Sequence, residues 1–276
     1  MTGRWPHYRH IALAVYCVIG AIYIMAPLAI VVLNSFSSTA YNVFPPEGYS
    51  LRWYQNLGQQ KVFLAAAIRS VILATLATAI AIVIGTLSAY ALVKYRLRGR
   101  DLIKAFLMAP VVLPSIVLGV ALFIFFVRTG TAYSYIGLLL THVLVVTPFV
   151  IAITAAGFSN FDWSTEEAAM DLGSGPVRTF LRIVLPQVRA GVVTATVFAW
   201  ITSFDQVETT LFLVRPGDNT LPIEMFLYLQ KWQDPTIAAL SSLLILFAAA
   251  IVIVMSIAGR SRAPERLVVQ GKEPRA

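Results

Sequence analysis

Long apolar runs dominate the hydrophobic pattern of this chain. Five of them span at least 20 residues without an Asp, Glu, Lys or Arg, and a sixth contains only two acids. A helix needs about 20 apolar residues to cross a lipid bilayer. We therefore predict six membrane-spanning helices, at about 11–33, 70–93, 105–127, 136–158, 190–214 and 236–259.

Composition supports this class of protein. Hydrophobic residues make up 58% of the 276 residues and charged residues 12%, which is about half the charged share of a soluble domain. We predict an all-α, polytopic membrane protein in which residues 1–276 form a single transmembrane domain. The first apolar run is longer than the roughly 7–15 residues of a signal-peptide core, so we expect an uncleaved span. The single cysteine, Cys17, excludes an internal disulfide.

The basic residues predict the orientation in the membrane. With six spans, 15 of the 21 Lys and Arg residues lie on the side that holds both termini and the loop 159–189, and six lie on the other side. Lys and Arg concentrate in cytoplasmic loops, so both termini are predicted to be cytoplasmic. The net charge of +8 then indicates contact with anionic lipid. No basic stretch is interleaved with aromatic residues, and nucleic-acid binding is not expected.

The loop 159–189 has the pattern of short helices. Ser164-Thr165-Glu166-Glu167 resembles a capping box, with Ser164 as the N-cap and Glu167 at the third helical position. We predict a helix over 165–172 that ends at Gly173, because glycine is common just after a helix. A second helix is predicted to start at Pro176 and to lead through Pro186 into the fifth span.

The predicted loop helix carries a small apolar face on the cytoplasmic side. Two interpretations fit such a helix: it docks a cytoplasmic partner, or it lies on the bilayer surface. Acidic residues fill its first turn, and anionic lipid would repel them. Docking to a protein is therefore favoured.

The same loop resembles the EAA motif of ABC importer permeases. Glu167-Ala168-Ala169 is followed by Gly173 and then by Ile183-Val184-Leu185-Pro186 at the spacing of that motif. Ser203-Phe204-Asp205, together with Pro216-Gly217 and 219–222, is similar to the spermidine/putrescine branch of these permeases. That branch often has an Asp-Asp pair where this chain has Asp205-Gln206, and this difference leaves the substrate open.

The resemblance implies a complete transport assembly. The expected fold is that of a type I importer permease in the bacterial inner (cytoplasmic) membrane, with the first span wrapping a five-helix core. A second, homologous permease would form a heterodimer with this chain, and a periplasmic solute-binding protein would deliver substrate. Two ATPase subunits would bind ATP and Mg and dock on the 164–173 helix. The implied coupling residues are Glu167, Ala168, Ala169, Leu172, Gly173, Ile183, Leu185 and Pro186.

Asp205 and Glu208 are the acids of the predicted fifth span, and three interpretations remain open. They can form a negatively charged vestibule for a cationic solute, or lie in a solvated outer loop if the span ends near Phe204. They can also pair with Arg69 or Arg128. An ionised acid is costly inside a membrane, which makes such residues candidates for function.

No catalytic motif is found in the chain. It has no Walker A sequence, no His-Glu-x-x-His and no Gly-x-Ser-x-Gly, so we expect a protein that is not an enzyme and needs no cofactor of its own. His142 is expected to be a packed, neutral side chain. The predicted function is import of a small cationic solute such as a polyamine. Import of another solute (amino acid-like, opine, phosphonate or metal) is the alternative, and an ion-coupled secondary transporter using Asp205 and Glu208 is a second one.

Overall fold

The computed structural model describes residues 7–260, and this part of the chain is helical. Its strand-like feature is one isolated bridge between Ser37 and Tyr49. The twelve helices of this range are α1 (His7–Ser35), α2 (Arg52–Gln59), α3 (Lys61–Lys94), α4 (Arg100–Val112), α5 (Ser115–Arg128), α6 (Tyr135–Ser159), α7 (Trp163–Asp171), α8 (Pro176–Gln187), α9 (Arg189–Phe204), α10 (Thr210–Leu213), α11 (Leu221–Lys231) and α12 (Thr236–Arg260).

Three single helices are long and apolar enough to cross a membrane. They cover Ile11–Ser35, Lys61–Lys94 and Tyr135–Ser159. Two bent helix pairs, α4 with α5 and α8 with α9, each supply one more crossing if the pair counts as one span. The apolar stretch Thr236–Ala250 of α12 is shorter. The count of six spans therefore stays a prediction. Of the basic residues behind the predicted orientation, five lie outside the described residues: Arg4, Arg262, Arg266, Lys272 and Arg275.

The predicted third span is not one straight helix. It breaks after Val112, and α4 and α5 meet at an angle of 101°. Leu113 has an extended backbone (φ −76°, ψ 139°), as is usual for a residue before proline, because the Pro114 ring clashes with a helical predecessor. Pro114 thus separates two helices.

The predicted fifth span, 190–214, is too long. Helix α9 ends at Phe204, and Asp205 is its C-cap. A separate short helix, α10, then covers Thr210–Leu213. At its start, α9 forms an angle of 79° with the preceding helix α8. The structure agrees with the interpretation in which the span ends near Phe204 and both acids follow it.

The helices fall into two compact units. One holds residues up to Gln60 together with those from Leu229 onward, and the other is Lys61–Tyr228. In the first unit α1 and α12 pack together, and the hydroxyl of Tyr54 on α2 lies 2.7 Å from both Ser35 Oγ and Ser242 Oγ. The second unit contains all of the candidate site residues.

Helices α3, α6 and α9 form the core of the second unit through small side chains. Ala74, Ala77 and Ala81 of α3 are fully buried, as are Ala195 and Ala199 of α9. At Gly85 the approach is closest, because an added Cβ would lie 2.6 Å from Val150 Cγ1 of α6. Small residues let helix backbones approach closely in lipid, which accounts for this packing.

Candidate functional site

Helix α7 starts at a different cap from the predicted one. Its N-cap is Asp162, whose Oδ1 accepts hydrogen bonds from the Ser164 backbone N–H (3.1 Å) and hydroxyl (2.8 Å). The predicted capping box of Ser164 and Glu167 is therefore wrong. Asp162 is also a favoured N-cap residue, and it lies two positions earlier with an extended backbone. Glu167 consequently lies in the second turn of α7, too far along the helix to cap its start.

The end of α7 is the one that the sequence predicted. Gly173 has φ +88°, a left-handed conformation that side chains with a Cβ rarely adopt. Its N–H donates to Met170 O (2.9 Å), and the Ser174 N–H donates to Ala169 O (3.0 Å). These two bonds form a Schellman motif, which satisfies the last carbonyls of the helix.

The residues of the EAA motif lie mostly on the solvent side of α7 and α8. Leu172 is 90% exposed, and Glu167 and Ala168 are also exposed. Ala169, Ile183 and Leu185 are half-buried, and Pro186 is exposed. A shallow depression of about 380 Å³ joins the two parts of the motif and is lined by Ala169, Leu172, Gly173, Ser174, Arg178, Arg182 and Ile183. The motif thus presents an exposed leucine beside a shallow groove.

A cluster that the sequence did not predict attaches α7 to α3. Glu166 is only 1% exposed, and its Oε1 accepts hydrogen bonds from the Tyr90 hydroxyl (2.5 Å) and from Lys94 Nζ (2.7 Å). Lys94 Nζ also donates to the Tyr90 hydroxyl at 2.8 Å. The Tyr90 ring packs against Phe158, Trp163 and Phe180, with ring centroids 5.0–5.9 Å apart.

Asp205 and Glu208 lie on a turn between α9 and α10. Both line an open depression of about 410 Å³ together with Ile201, Thr202, Gln206 and Val207. Partial desolvation, together with the negative charge of Glu208, raises the pKa of the Asp205 carboxyl above its usual range. Arg69, one of the pairing candidates, instead lies with Nη1 3.9 Å from Asp218 and donates from Nε to Asn219 O at 3.0 Å.

His142 of α6 connects the two ends of this acidic turn. The side chain is 1% exposed. Its Nδ1 lies 2.8 Å from Ser203 Oγ at the end of α9, and its Nε2 lies 3.0 Å from Thr210 Oγ1 at the start of α10. The histidine is packed, as predicted, and it is hydrogen-bonded to hydroxyls on both sides.

Residues 81–263 match the family of binding-protein-dependent transport system inner membrane components. The chain belongs to this family. It is therefore a multi-pass inner-membrane component of a transport system rather than an enzyme, and the predicted ABC importer permease class is confirmed.

Curated relatives of this permease cover most of its length. It is 31% identical to the spermidine/putrescine transport system permease protein PotC of Haemophilus influenzae, over 86% of this chain and 92% of that protein. The PotC of Escherichia coli K12 is 28% identical over 87% of this chain and 90% of its own. The putrescine transport system permease protein PotI of the same strain is 31% identical over 84% of each chain.

Solved structures share the fold of this permease. A bacterial ABC transporter that imports the acidic polysaccharide alginate matches with a TM-score of 0.71 at 17% identity, over 95% of this chain and 99% of that one. An amino acid ABC transporter matches with a TM-score of 0.58 at 15% identity, over 76% and 98%. The all-helical ABC importer permease fold is thereby confirmed.

Proposed function

We propose that this permease forms, with a second and homologous permease subunit, the membrane pathway of an ATP-driven importer for a polyamine. The observation that carries the proposal is the similarity to PotC and PotI over more than four-fifths of the chain. Family membership favours this importer over the ion-coupled transporter that the sequence left open. Import of another small solute is the alternative within the same family.

The acidic turn supports a cationic solute. Asp205 and Glu208 are exposed and line the same open depression, and water-accessible carboxylates concentrate cations near a surface. A polyamine carries several ammonium groups, so it gains more from two close carboxylates than a monovalent solute does. We assign Asp205 and Glu208 to the outer end of the substrate pathway.

The exposed face of α7 and α8 supports docking of an ATPase subunit. The assembly would contain two ATPase subunits, one docked on each permease. Leu172 and the groove beside it offer apolar surface to such a partner. Glu167, Ala168, Ala169, Gly173, Ile183, Leu185 and Pro186 complete the proposed contact. ATP and Mg bind to these partner subunits, and a periplasmic solute-binding protein delivers the substrate to the outer face.

The proposed arrangement in the membrane has six crossings and cytoplasmic termini. Each bent pair, α4 with α5 and α8 with α9, counts as one crossing, and α12 is the sixth. We propose that residues 1–276 form one permease domain. Lipid covers the apolar surfaces that protein partners leave free.

Transport by the reconstituted assembly tests this function. The permease is purified with the second permease and the ATPase of its own transport system, and placed in liposomes with the binding protein. We expect uptake of labelled putrescine or spermidine that requires ATP and every partner, and that unlabelled polyamines suppress. ATP-driven uptake of a neutral or anionic solute instead, with no competition by polyamines, would contradict the proposed substrate.

A further inference from the structure

Glu166 and Glu167 are adjacent acids with opposite environments. Glu167 is exposed, whereas Glu166 is turned toward α3 and buried. The Glu166 carboxylate accepts two hydrogen bonds on Oε1, from Tyr90 and Lys94. Its Oε2 is buried without a hydrogen-bond partner within the described range. One oxygen therefore takes all of the polar contacts of a buried acid.

Stability alone does not explain such a group. Taking the Glu166 carboxylate out of water carries a desolvation penalty, and well-packed apolar side chains in place of a buried ion pair are often equally stable. Here the penalty is only partly offset, because Oε2 remains without a donor. What the ion pair does provide is geometry. Two donors from successive turns of one helix fix the carboxylate of another.

Helix α3 extends from this ion pair through the second unit. From Ser70 to Lys94 the helix is about 36 Å long at 1.5 Å per residue. At the far end, Ser70 Oγ accepts a hydrogen bond from the Leu221 N–H (2.7 Å), and Arg69 holds the Asn219 carbonyl. One helix thus connects the inner face of α7 with the segment 219–221 at its other end.

We propose that Glu166, Lys94 and Tyr90 form a clasp that transmits the displacement of α7 into α3. They are positioning residues, and the proposal rests on the proposed docking of an ATPase to the outer face of α7. The ATPase moves α7, and the clasp converts that movement into movement of a membrane helix. Without the clasp, α7 still docks to the ATPase, but the displacement of α7 no longer moves α3.

The test measures uptake of labelled putrescine and ATP hydrolysis in the same proteoliposomes. Glu166→Gln keeps the shape of the side chain and removes its charge, and Lys94→Met removes the cation. We expect both variants to assemble with the ATPase and to hydrolyse ATP within about twofold of the wild type. Solute imported per ATP should fall about tenfold, within the usual range of coupling between two sites.

Two comparisons separate the clasp from a general loss of structure. If Glu166 and Lys94 act as a pair, the double variant is no worse than either single variant within about twofold, whereas independent effects would multiply. Tyr90→Phe, which loses one donor and keeps the ring, should give an intermediate loss. Asp101→Asn and Lys104→Met remove exposed charges near the start of α4 and should leave the ratio unchanged.

The outcomes distinguish the clasp from the proposed function. A wild-type ratio of uptake to hydrolysis in Glu166→Gln would overturn the clasp and leave the importer function standing. Loss of assembly in Glu166→Gln and Lys94→Met alike would assign the cluster to folding and also overturn the clasp. Failure of the wild-type assembly to couple uptake to ATP would overturn the proposed function and the clasp with it.

Discussion

His142 Nδ1 lies 2.8 Å from Ser203 Oγ, where helix α9 ends and the acidic turn begins. Its other ring nitrogen lies 3.0 Å from Thr210 Oγ1, where the chain becomes helical again. The imidazole therefore fixes both ends of the segment that carries Asp205 and Glu208. An acidic turn that contributes to a pathway needs such support, because a flexible loop would not hold two carboxylates at one place.

Replacing His142 should loosen this turn. His142→Ala leaves the buried hydroxyls of Ser203 and Thr210 without that partner, at a cost of about 1–3 kcal/mol for each unsatisfied group. We expect a lower melting temperature of the detergent-solubilised assembly and a higher KM for the solute. Thr141→Val is the matched control, since the Thr141 hydroxyl donates its hydrogen bond to Gly137 O of its own helix. Equal KM values for both variants would contradict a role in positioning.

The charges of the acidic turn should affect cation uptake and little else. Asp205→Asn together with Glu208→Gln keeps the size of both side chains and removes two negative charges. We expect slower polyamine uptake at low substrate concentration, with assembly and basal ATP hydrolysis retained, because the pair attracts cations. Glu47→Gln, which removes an exposed acid from the other unit, should have no effect. Unchanged uptake in the double variant would remove both acids from the pathway.

Acidification should weaken the same attraction. The pKa of Asp205 is raised, so its carboxylate is neutralised at a higher pH than a free aspartate as the external pH falls. The sign for stability is opposite, because the folded state binds this proton more tightly than the unfolded state. That contribution is present at low pH and is lost as pH rises through the raised pKa. Uptake and melting temperature measured against pH, in the wild type and in Asp205→Asn, check both directions.

The sequence predicted which segments are apolar helices but not where they break. Pro148 lies inside the continuous helix α6, whereas Pro114 separates α4 from α5. A proline removes one backbone donor in either case, and the outcome depends on whether neighbouring groups satisfy the carbonyl that is left free. Those neighbours belong to distant segments, so the difference is not visible in the local sequence.

The sequence likewise predicted one part of the candidate site and missed another. The spacing from Glu167 to Pro186 indicated the exposed motif, and Gly173 indicated the end of α7. The burial of Glu166 depends on Tyr90 and Lys94, which are 76 and 72 positions away. The spacing of four between these two donors places them on one face of α3, and this was the signal available. It gave no indication of which acid they bind.

Cysteine labelling in intact cells checks the orientation. In a Cys17→Ser background, single cysteines at Thr39 and Asn219 should react with a reagent that cannot cross the membrane. A cysteine at Ser174 should react only after the membrane is opened, because positively charged loops lie in the cytoplasm. Labelling of Ser174→Cys from outside would reverse the orientation and place α7 out of reach of an ATPase.

Gly173 and Gly175 provide a matched pair for testing α7. Neither has an atom within 4 Å of an added Cβ, so steric crowding does not distinguish them. Gly173 has φ +88°, whereas Gly175 has φ −67°. Gly173→Ala should therefore disturb the end of α7 at a cost of about 1–3 kcal/mol for a residue held in a left-handed conformation, and Gly175→Ala should cost almost nothing. Asparagine tolerates this conformation better than alanine, so the cost of Gly173→Asn should lie between the costs of the two alanine variants.

We expect the amount of ATPase that copurifies with the permease to follow the same order. If Gly173→Ala retains as much ATPase as Gly175→Ala, the shape of this helix end does not matter for docking.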